Sequence, residues 1–114
     1  MEALSKGNIP YTGEMYAGSV ACIGKSCLLL VERDDSTIRV VVSSDRTQCL
    51  DRALFTHFGV DLLEQAIICV KSTVHFRADF AQLASEVILA KSPGAFACDL
   101  TEVTYTKLRE NVNR

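Results

Sequence analysis

The chain has 114 residues, enough for one domain and no more. It is 48% hydrophobic and 23% charged, which excludes an intrinsically disordered protein. Twelve basic residues face fourteen acidic ones, for a net charge of −2, so no positive excess exists to draw in nucleic acid or anionic lipid. No apolar run approaches the ~20 residues of a membrane span, and the stretch 1–9 has no signal-peptide core. The expectation is a soluble, cytoplasmic single domain over residues 1–114, with neither nucleic acid nor membrane as a partner. The five cysteines form no CxxC pair, and the default reading is reduced, mostly buried thiols, with Cys69 a small core residue.

Residues 1–18 are rich in small, polar and turn residues and read as an irregular lead-in. Two β-type runs follow, Cys27 to Glu32 and Thr37 to Val42. The four polar residues Arg33 to Ser36 between them suit a hairpin loop. Gly24-Lys25-Ser26 superficially suggests a phosphate loop, but the required first glycine falls on Ser19 and a strand follows where a helix is needed.

From Leu50 the period changes. Leu50, Leu54 and Phe58 recur at helical spacing, and Gly59 is a natural stop. Asp61 and Glu64 suggest a cap on a further helical turn. The apolar run from Ala66 to Val70 reads as a strand covered on both faces. Phe76, Phe80 and Leu83 predict a helix over 74–84, Glu86 to Ala90 a second strand, and the run Lys91 to Gly94 a turn. The fold expected is α/β: a small mixed β-sheet with a β-hairpin followed by a βαβ unit whose crossover, if parallel, is right-handed.

The informative stretch lies where the first of those strands meets the helix. Ser72 or Thr73 is placed to cap the helix. Lys71, His75 and Arg77 gather near its start, where positive side chains are unfavourable unless something negative is bound. The alternative is that Lys71 and Arg77 pair with acids of their own fold and His75 bonds locally. His75 and Asp79, four residues apart, are too few for a zinc site by themselves. A hydrolase using His75 with Ser72 or a cysteine ranks last, since no nucleophile, base and orienting acid converge by spacing.

The same stretch carries a family resemblance. Lys71-Ser72, His75-Phe76-Arg77-Ala78 and Phe80 resemble the KSxxHFRAxF signature of the C-terminal domain of the microcystinase C (MlrC) family of zinc-dependent peptidases. Residues Gly13 to Gly18 are similar to its GPMYxG segment, with Glu14 in place of proline. Gln48, Asp51, Phe55, the stretch Phe58 to Asp61, and later Ala84, Glu86 to Ile88 and Pro93-Gly94 fit in order, so that the resemblance spans residues 13 to 109. It implies the C-terminal portion of a longer metallohydrolase, with zinc expected in the full-length family on ligands of an N-terminal domain. No zinc ligand, cofactor or catalytic residue carries over to this chain. Lys71, Ser72, His75 and Arg77 would line the interface or crevice facing that domain and bind a peptide or small anionic ligand. The partners implied are that missing N-terminal metal-binding domain or, in a stand-alone binding module, a second copy.

Overall fold

A computed structural model describes residues 3–72, 74–92, 101, 103–107, 109 and 110. Within them the order is β1 (Ala3–Ser5), β2 (Asn8–Pro10), β3 (Val20–Cys22), β4 (Ser26–Arg33), β5 (Ser36–Ser43), α1 (Ala53–Thr56) and α2 (Arg77–Phe80). The mixed α/β class is as expected. The hairpin is longer than its sequence pattern: β4 and β5 pair antiparallel without interruption from Ser26↔Ser43 to Arg33↔Ser36. The turn is correspondingly tight, and Asp34 takes a left-handed conformation with φ 52°.

The lead-in is irregular only in part: residues 11–18 are loop and turn, whereas β1 and β2 are regular. β1 pairs antiparallel with β4, and β2 with β3, giving sheets ordered β1-β4-β5 and β2-β3. Three-residue strands are too short to show an alternating pattern, and their partners rather than their propensities hold them. The two pieces meet where Gly7 (φ +81°) passes Gly24; Ile23 N–H donates to Gly7 C=O at 2.8 Å.

The βαβ unit is a correction. Residues 66–71 and 86–90 are not strands in the structure. Each apolar run needed a partner strand and cover on both faces, and the described residues supply neither. Ile67 is 87% exposed and Ile88 78%. Cys69, expected in the core, is exposed, as is Cys22; Cys27 and Cys49 are half-buried and all four are unbridged, while Cys98 lies outside the described residues. The turn at Lys91 to Gly94 is only half described, Pro93 and Gly94 lying outside.

The helical expectations fare better. α1 buries Ala53 and Leu54, and Gly59 N–H bonds Thr56 C=O with φ +77°, a left-handed stop of the expected kind. Asp61 caps the next turn by accepting from Leu63 N–H at 2.9 Å. The core gathers Ile9 and Leu28 from the strands and Ile23 from the β3–β4 bend against Leu54, Phe76 and Phe80 from the helical half.

That core covers only one face of the larger sheet. Leu28, with Val41 opposite, faces inward. On the other face, by strand alternation, Leu4 sits beside Cys27, Cys27 opposite Val42, Leu29 opposite Val40 and Val31 opposite Ile38. Every one is apolar, and Leu4, Val31, Ile38, Val40 and Val42 are exposed.

Candidate functional site

The predicted helix over 74–84 is a run of turns with a short α-helical centre. Arg77 N–H bonds Val74 C=O at 3.2 Å, Phe80 N–H bonds Phe76 C=O at 2.9 Å, and Leu83 N–H bonds Phe80 C=O at 3.0 Å. Phe76 and Phe80 are buried, and Phe80 meets Phe55 of α1 edge-on at 6.0 Å. This anchors one side of the run and turns the other outward. Lys71, His75 and Arg77 are all exposed. Arg77 lays its guanidinium 5.4 Å from the centre of the Phe76 ring. Among the described residues none of the three cations has an acidic partner; the ion pairs are Arg33–Asp34 and Arg52–Asp79.

Ser72 does not cap this helix. The α-helical centre begins five residues beyond it at Arg77, behind Phe76, without a side-chain cap bond. Ser72 is half-buried and its Oγ is buried without a hydrogen-bond partner; Thr73 lies outside the described residues. The positive character of the turn therefore comes from its side chains, since a single α-helical turn carries little dipole.

Sequence reasoning missed the network beneath this turn. Asp51 is 1% exposed; its Oδ1 accepts from Ala53 N–H and its Oδ2 from Gly13 N–H, both at 2.8 Å. Asp79, also buried, accepts from the backbone N–H of Arg52 and pairs with its Nε at 3.1 Å. Gly13 fits between them. A Cβ there would stand 2.7 Å from Asp79 Oδ1 and 3.0 Å from Asp51 Oδ2. Two carboxylates thus fasten the 11–19 loop, the start of α1 and α2 together. A signal existed. Asp79 fills the i+3 slot of the Phe76, Phe80, Leu83 stripe, and Asp51 the equivalent slot ahead of Leu54, Phe55 and Phe58.

A zinc ion does not fit the described residues. No three His, Cys, Asp or Glu groups converge there, and the oxygens of Asp51 and Asp79 are engaged by N–H donors. Asp79 is buried while His75 is exposed, so the two share no open face. Cys49 is no ready nucleophile either, because burial first, then the charges of Asp51 and Asp79, push its thiol up to about 12. Ser5 Oγ and His57 Nε2 lie 2.8 Å apart at the surface. Ser5 Oγ also takes the Gly7 N–H at 3.0 Å, so the pair ties the end of α1 to β1, and among the described residues no acid is paired with the imidazole.

The family model described as MlrC C-terminus matches residues 1–107. The chain belongs to the MlrC C-terminal family. The match takes in both the cationic turn and the Gly13, Asp51 and Asp79 network. No curated protein and no solved structure matches the chain. None of the described helices is long and apolar enough to cross a membrane.

Proposed function

We propose that this MlrC C-terminal domain acts as part of an MlrC-like metallohydrolase, silent as a peptidase by itself. In this reading Lys71, Ser72, His75 and Arg77 form an anion- or interface-binding turn that serves a zinc site held on an N-terminal domain. The observation that carries it is the set of three exposed cations left without acids while the nearest buried carboxylate, Asp79, is spent on Arg52. Grouped cations of this kind favour carboxylate or phosphate groups. The uncovered apolar residues Ile67, Ile88 and Leu89 on the segments flanking the turn support a neighbouring domain on this side. The same chemistry suits a peptide carboxylate presented to the metal.

The turn is tested by titrating the chain with N-acetyl-dialanine, a peptide carboxylate, while following the His75 ring by NMR. Saturable shifts are expected, with binding weakened about tenfold in the double variant Lys71→Ala, Arg77→Ala. No shift, or equal shifts in that variant, would remove the anion-binding role. A stand-alone binding or self-associating module is the second reading, and the uncovered face of the larger sheet favours it.

A further inference from the structure

We propose that the outer face of the β1-β4-β5 sheet is the interface of a homodimer, closed by a two-fold axis lying across the strands. Seven of the nine paired positions on this face are apolar, the exceptions being Arg33 and Ser36 beside the turn, whereas singly exposed apolar residues are what a free surface normally carries. Its edge is equally unguarded. β5 runs eight residues without a proline or a bulge and with Arg39 as its only charge, so it lacks the usual devices that blunt a free edge.

The distribution of charge selects a second copy as the occupant. At one end of the face stands the hairpin turn, with Asp34 and Asp35 against Arg33; at the other stand Lys6 and Lys25, directly beyond β1 and before β4, against Asp45 just past β5. All six are exposed, and the two ends carry opposite net charge. A two-fold axis perpendicular to the strands lays each hairpin turn over the partner's lysines and packs the apolar centres together. An axis along the strands would set like ends on like ends. Isologous contacts require this kind of self-complementarity. The proposal uses none of Lys71, Ser72, His75 and Arg77, so its failure leaves the reading of that turn standing.

Sedimentation velocity on the full chain tests it, with a concentration-dependent dimer expected. Val40→Lys, at an exposed position that leaves the inner core untouched, should give monomer with unchanged circular dichroism. Asp35→Lys and Lys25→Glu should each weaken the dimer about tenfold, and the two together should restore it. A monomer at every concentration, a dimer indifferent to Val40→Lys, or a double charge swap that fails to restore association would each overturn the proposal. A dimer broken instead by Ile67→Lys would place the contact on the other side of the molecule and would also overturn it.

Discussion

Asp51→Ala is expected to lower the unfolding free energy by about 2–5 kcal/mol, because it strands two buried N–H groups at about 1–3 kcal/mol each. Among the described residues Asp51 is the acceptor for both Gly13 N–H and Ala53 N–H. That is a large part of the ~5–15 kcal/mol that holds a typical domain. The effect is structural as well as local, since the bond to Gly13 spans 38 residues of chain and fixes the 11–19 loop on α1. Asp51→Asn should recover part of the loss, as the amide keeps one acceptor oxygen. Asp61→Ala is the control. It removes an exposed cap bond to Leu63 and should cost about 1 kcal/mol or less. Urea unfolding followed by circular dichroism reads all three. A cost for Asp51→Ala no larger than that of Asp61→Ala would mean that the buried network does not hold the fold.

The second large effect belongs to Gly7. Its φ of +81° already costs an alanine about 1–2 kcal/mol. A Cβ built there would stand 1.7 Å from the backbone oxygen of Gly24, which no side-chain rotation can relieve. The β1–β2 bend must then separate from the β3–β4 bend, with loss of the Ile23 to Gly7 hydrogen bond. The expected total is about 3 kcal/mol or more, strain and lost bond together. Gly18→Ala separates the two contributions. Gly18 has φ +85° but open space around it, so only the conformational part should appear. Equal midpoints for the two variants in thermal or urea unfolding would contradict the close crossing of the two bends.

The hairpin was legible because Ile38, Val40 and Val42 alternate and the Arg33 to Ser36 link is wholly polar. The α1 region was legible because Leu50, Leu54 and Phe58 hold helical spacing up to Gly59. Residues 66–71 and 86–90 misled because a continuous apolar run states only that cover is needed. It does not state that the same chain provides it. β1, β2 and β3 were hidden by their length. Lys71, Ser72, His75 and Arg77 stood out because cations crowd the start of a helical stretch, and the structure leaves the three cations exposed. Ser72 was misassigned as a cap since the α-helical centre starts later than the apolar spacing implies. Asp51 and Asp79 were noticed only as a family match and a possible ligand; their structural role was missed because a carboxylate on a core-facing slot looks like an interruption of the pattern, whereas here each is the tie between distant segments.

In the proposed division of labour this chain brings cations to a site and the metal is held elsewhere. The most direct measurement is metal content. After equilibration with zinc and exhaustive dialysis, the folded chain should retain far less than one ion per molecule and show no peptidase turnover with zinc restored. One tightly held zinc per chain, lost on His75→Ala with the fold intact, would contradict the account.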